Sequence, residues 1–188
     1  MGNISLKQWI VAGALSGVVI GILVFIILSL LLMSSPYPLE GPLALYENSF
    51  GFILTLFSYL FLGVITGIVL FFMYDRLPLK GRSPKCLLIC SITVVIVGIF
   101  LFLLFYIEIV GEVFFIVLIP LFSPIYLSHT LIGKFFLGSY FYSLDFLARP
   151  LKFLITILFF ALIPSLLIGI AFGFIINYFI TKMERKAS

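Results

Sequence analysis

The chain has 188 residues, 64% hydrophobic and only 10% charged, with a formal net charge of +4. Soluble domains run at about 45–50% apolar and about 25% charged, and a single core in water could not hide this much apolar surface. The composition therefore points away from a soluble protein, and the positive residues gather at the ends of apolar stretches, which fits membrane topology and gives no expectation of a nucleic-acid partner.

Crossing a hydrocarbon layer of about 30 Å takes about 20 helical residues. Four uncharged stretches reach that length: Gln8–Met33, Ser49–Met73, Cys86–Ile107 and Phe153–Ile180. Each is expected to be helical, because an open strand would leave backbone polar groups unsatisfied in lipid. The expected fold is an all-α integral membrane protein, a single transmembrane domain over 1–188. It is read as a four-helix bundle with a membrane-dipping or interfacial segment between the third and fourth spans.

The first stretch is longer than the apolar region of a cleaved signal and lacks a clear A-x-A site, so it reads as a retained span. Leu6 stands where N-myristoylation needs Ser or Thr. Within this span Gly13, Gly17 and Gly21 recur at intervals of four, and Gly63 with Gly67 and Gly169 with Gly173 repeat the spacing in the second and fourth spans. Such a stripe flattens one helix face and lets another backbone approach closely. The stripes are expected to pack helices within one subunit, or to form the contact of a homo-oligomer or of a partner membrane subunit.

Residues 34–48 carry Pro36, Pro38, Gly41 and Pro42 and read as a loop, with Glu40 and Glu47 and no Lys or Arg. The connection at 74–85 holds Arg76, Lys80, Arg82 and Lys85, and its Pro78 and Pro84 suggest a tight turn. Lys7 precedes the first span, and Lys182, Arg185 and Lys186 follow the last. The positive-inside rule then gives one orientation in the cell membrane: both termini and the 74–85 connection cytoplasmic, the first loop outside. The same basic connection could hold acidic lipid headgroups. Cys86 and Cys90 are four residues apart, a spacing that suits neither a redox C-x-x-C nor a zinc site, so they read as small buried apolar residues.

The segment 108–152 is the least regular. Val113–Ser128 is apolar but short and broken by Pro120 and Pro124. Counting it as a fifth span puts the basic C-terminus outside, and a sixth span at Phe135–Leu144 is only about ten residues long. The segment is therefore read as external, dipping into the membrane or lying along it, with six spans as the alternative. Glu108 and Glu112 share one helix face here, with His129 and Asp145 in the same segment. Two carboxylates and an imidazole could hold a divalent metal or relay a proton, but no H-E-x-x-H spacing is present. Arg149 and Lys152 flank Pro150 and suit headgroup anchoring.

Pro164 falls inside the fourth span and is expected to kink it. The span interiors contain no Asp, Glu, Lys, Arg or His, which argues against ion-coupled transport. No G-x-S-x-G, phosphate-binding loop or dinucleotide fingerprint occurs, and no cofactor is implied. The segments Leu62-Gly63-Val64-Ile65-Thr66-Gly67 and Ile168-Gly169-Ile170-Ala171-Phe172-Gly173 echo one another, each followed by a basic stretch, as a parallel duplication of a two-helix hairpin would leave. The functional expectation is a non-enzymatic helix-packing or accessory subunit in contact with the lipid bilayer. The alternatives are a small transporter or channel, and a metal-dependent membrane enzyme using Glu108, Glu112 and His129.

Overall fold

The computed structural model describes residues 4–33, 49–106, 125 and 149–187. The described residues form an all-α bundle, built from α1 (Leu6–Met33), α2 (Ser49–Met73), α3 (Arg82–Tyr106), α4 (Arg149–Ile157) and α5 (Ile163–Ala187). Four helices are long and apolar enough to cross a membrane, with candidate spans at Leu6–Ile27, Gly51–Arg76, Arg82–Phe100 and Ile163–Arg185.

Local chemistry sets several of the boundaries. Ser5 and Gln8 form a capping box: the Ser5 N–H donates to Gln8 Oε1 at 2.8 Å and the Gln8 N–H to Ser5 Oγ at 3.3 Å. Helix α1 consequently starts at Leu6, ahead of the apolar stretch that begins at Gln8. Helix α2 runs into a 3-10 turn over Tyr74–Arg76, and Gly81 then takes a positive φ of 89° at the entry to α3. That backbone conformation favours glycine. Pro84 belongs to the first turn of α3 rather than to the connection, in a position where a helix needs no N–H from it. Pro150 does the same for α4. In each case the helix extends beyond the uncharged stretch, because Arg and Lys are good helix formers.

Helices α4 and α5 are continuous through a π-helical turn over Leu158–Leu162, in which the Ile163 N–H reaches back to the Leu158 carbonyl. Pro164 follows at once. In a regular helix its ring would clash with the carbonyl four residues earlier, and a wider turn relieves that clash. A π-helical turn thus precedes the proline at which the sequence suggests a kink.

Helix α1 packs chiefly on α2, and α3 chiefly on α5; the two pairs then meet along α1/α5 and α2/α3. Both pairs are antiparallel. The chain ends therefore lie at the same end of the bundle as the 77–81 connection. The core between them holds Tyr59, Leu62, Leu70, Cys90, Val94 and Phe172, among others. Ile125, described between Tyr106 and Arg149, is 1% exposed and belongs to the same core. The first loop (34–48) and the rest of 107–148 lie outside the described residues.

Candidate functional site

Two features stand out among the described residues: the glycine seams inside each helix pair and a charged cluster where the chain ends meet. The seams are built from glycines that the sequence places at helix spacing, and the cluster from residues far apart in the chain.

In the first pair, a Cβ added at Gly13 would land on the Gly63 carbonyl oxygen, and one added at Gly63 would land on the Gly13 carbonyl oxygen. Gly17 faces the Tyr59 carbonyl oxygen in the same way, with Leu60 Cα 2.8 Å from its notional Cβ. Gly67 faces the Trp9 carbonyl, and Gly21 packs on Tyr59 and Leu56. In the second pair, a Cβ at Gly169 would sit 2.5 Å from Ser91 Cα, and one at Gly173 would sit 2.7 Å from Leu87 Cα. Lipid tails are as apolar as leucine, so association in a bilayer comes from such close backbone packing and from weak Cα–H···O contacts, each worth about 0.5–1 kcal/mol. All seven stripe glycines lie on seams within the chain, so these faces are occupied and are not open to a second protein.

Five buried hydroxyls inside the pairs bond to their own helix. Ser16 donates to the Ala12 carbonyl at 2.7 Å, Thr55 to Gly51 at 2.7 Å, Ser58 to Leu54 at 2.9 Å, Thr66 to Leu62 at 2.7 Å and Thr93 to Ile89 at 2.8 Å. This pattern supplies the hydroxyl proton with a carbonyl acceptor four residues back and adds little to helix pairing. Cys86 and Cys90 of α3 are free, fully buried thiols.

The charged cluster lies at the shared end. Arg82 opens α3 and grips Glu184 of α5 with both terminal nitrogens, at 2.6 and 2.7 Å. Each charge sits at the unfavourable end of its own helix dipole, a cation at an N-terminus and an anion near a C-terminus. Antiparallel pairing brings them together, and the fork-to-fork geometry offsets both penalties. Lys85 donates to the Tyr74 carbonyl at 2.9 Å and sits 4.8 Å from the Tyr74 ring centroid. Tyr74 in turn lies 5.3 Å from the ring of Trp9, which is 2% exposed. Trp9, Tyr74 and Lys85 thereby tie α1, the 3-10 turn after α2, and α3 together at one level. The sequence suggests lipid headgroups for Arg82 and Lys85 and no partner for Glu184, because an Arg and a Glu on different helices give no spacing signal.

Glu108, Glu112, His129 and Asp145 lie outside the described residues. Among the described residues no group of three His, Cys, Asp or Glu side chains is placed to hold a metal ion. Comparison with protein families, with curated proteins and with solved structures finds no match to this chain. The class defined by the fold is an all-α bundle whose described residues include four helices apolar and long enough to span a membrane, as in a membrane protein.

Proposed function

We propose that this is a non-enzymatic, multi-pass protein of the cell membrane that acts through helix packing, as an accessory subunit of a larger membrane assembly. The observation that carries this reading is how the interior is used. The five hydroxyls named above bond to carbonyls of their own helices, and the stripe glycines are met by neighbouring backbone or side chains. What the bundle offers outward is apolar: Leu23, Ile27, Leu30, Phe57, Ile96, Leu154 and Phe174 are all exposed. In a bilayer such faces meet lipid tails or the helices of another subunit.

The orientation follows from charge. Eight of the eleven Lys and Arg residues lie at the end that carries both chain ends and the 77–81 connection, as against two of the seven Asp and Glu. The positive-inside bias makes that end cytoplasmic.

Extraction from native membranes into lipid nanodiscs, without prior detergent, tests the role. A complex with a second polypeptide at fixed stoichiometry is the expected result. A uniform particle holding the 21.1 kDa chain and lipid alone would remove the reading. A small transporter or channel is the second reading. It is favoured by the π-helical turn ahead of the buried Pro164, since irregular helix turns recur at transport sites; solute flux in proteoliposomes of the purified chain would establish it.

A further inference from the structure

We infer that the bundle is two copies of one antiparallel helix pair, fused in a single chain and related by a two-fold axis along the membrane normal. The seam between the pairs is then self-complementary, the surface a two-helix chain would use to bind a second copy of itself.

The argument begins with the glycines. Gly63 and Gly67 of α2 correspond to Gly169 and Gly173 of α5, a shift of 106 residues. The partners of these glycines define a second shift. Compared atom with like atom, a Cβ at Gly63 meets the Gly13 carbonyl oxygen and one at Gly169 the Cys90 carbonyl oxygen, while Cβ atoms at Gly67 and Gly173 meet the Cα atoms of Ile10 and Leu87. Both comparisons, 13 with 90 and 10 with 87, give 77. Like atoms thus place α1 on α3 at 77 once α2 is placed on α5, and the closest atom of each glycine, which differs in kind between the pairs, lies within one residue of that register.

Three further observations agree with those registers and were not used to set them. The buried positions between 55 and 70 coincide, one for one, with those between 161 and 176. The buried positions between 9 and 21 fall on buried positions between 86 and 98, except that Val97, opposite Ile20, is half-buried and that Ser91 is an additional buried residue. The Ser16 hydroxyl bonds the Ala12 carbonyl, and Thr93, its counterpart, bonds Ile89, the counterpart of Ala12. The sequence carries the same register: Val18, Gly21, Ile22 and Phe25 recur as Val95, Gly98, Ile99 and Phe102.

Arrangement of the pairs completes the case. Exchange of the two copies turns the α1/α5 contact into α3/α2, and those are the two contacts that join the pairs, while the diagonals α1/α3 and α2/α5 make no comparable contact. Helices α1 and α3 run in one direction and α2 and α5 in the other, so the axis that exchanges them lies along the helices. An interface with these properties is isologous, and parallel repeats of this kind are a known route to larger membrane bundles.

Disulfide mapping in the full chain tests the inference. In a Cys86→Ala, Cys90→Ala background, single cysteines at positions 12, 16 and 20 are paired with cysteines at 168, 172 and 176. The mapped set pairs 89, 93 and 97 with 62, 66 and 70. Variants are scored in native membranes under mild oxidation. The expected result is that the pair with the highest crosslinked fraction in the first set has its counterpart highest in the second. An offset of one helical turn between the two sets overturns the inference, as does crosslinking in one set alone or in neither. An experimental structure in a bilayer gives the same test on the unsubstituted chain. Superposing 9–21 and 55–70 on 86–98 and 161–176 should need a rotation of about 180°; a rotation far from that value, or a better fit in another register, also overturns it.

Discussion

Arg82 and Glu184 are 102 residues apart in sequence and share two parallel N–H···O bonds of 2.6 and 2.7 Å. The pair locks the first turn of α3 to the end of α5, and the Arg82 side chain is 15% exposed while that of Glu184 is 35% exposed. At that exposure solvent screens part of the attraction, yet removal of either partner leaves a charge at the wrong end of a helix dipole.

Glu184→Gln should accordingly lower stability by about 1 kcal/mol. Thermal unfolding in mild detergent, followed by loss of the monodisperse elution peak, measures it. The double variant Arg82→Met with Glu184→Gln should lose less than the sum of the two single changes, because neither charge is left alone. Strict additivity would mean that the two groups do not interact.

Bulk at the glycine seam should be far less tolerated than bulk outside it. Gly17→Leu would drive a side chain into the Tyr59 and Leu60 backbone, which cannot move aside as a flexible side chain could. Overpacking of this kind costs about 1–3 kcal/mol or more. Leu23→Ala, on the exposed face of the same helix, should leave the assembly state and the stability in detergent almost unchanged. Equal tolerance at the two positions would contradict the seam.

Trp9 is the sole tryptophan of the chain, which makes it a clean probe of the shared end. Buried beside the Tyr74 ring, it should emit at short wavelength and resist quenching by iodide. Tyr74→Ala should open that contact, shift the emission to the red and admit the quencher. Emission from the intact protein resembling that of tryptophan in water would show that the ring is not enclosed.

Both thiols should be silent in the folded protein and reactive once it is denatured, since Cys86 and Cys90 are fully buried. This makes Lys80→Cys a usable topology reporter without further substitution. An impermeant maleimide should leave that residue unlabelled in intact cells and label it in inverted vesicles. The opposite pattern would reverse the proposed orientation and leave the bundle itself untouched.

Much of the architecture is legible in the residues. Four stretches of at least about 20 apolar residues require four helices, because hydrocarbon offers no partner for a backbone N–H or C=O. The α2 boundaries read from the sequence, Ser49 and Met73, are those of the helix itself. The Ser5–Gln8 capping box and the Pro84 position are visible as residue types, yet the uncharged stretches start only at Gln8 and Cys86, because loss of apolarity marks the end of the hydrocarbon and not the end of the helix. The Val-x-x-Gly-Ile-x-x-Phe echo between α1 and α3 was present as well; it becomes visible only when the glycine contacts supply the register.

The sequence by itself determined that lipid suits this chain, that four long apolar helices form among the described residues and which end of them is basic, since each follows from how much charge a stretch of given length carries. Tertiary structure alone decided which glycine meets which, that Arg82 finds Glu184, and in which register α1 lies against α2 and α3 against α5. Those relationships depend on the register of one helix against another. Register in lipid is set by the fit of backbone to backbone, a property of two surfaces together that no single stretch of sequence contains.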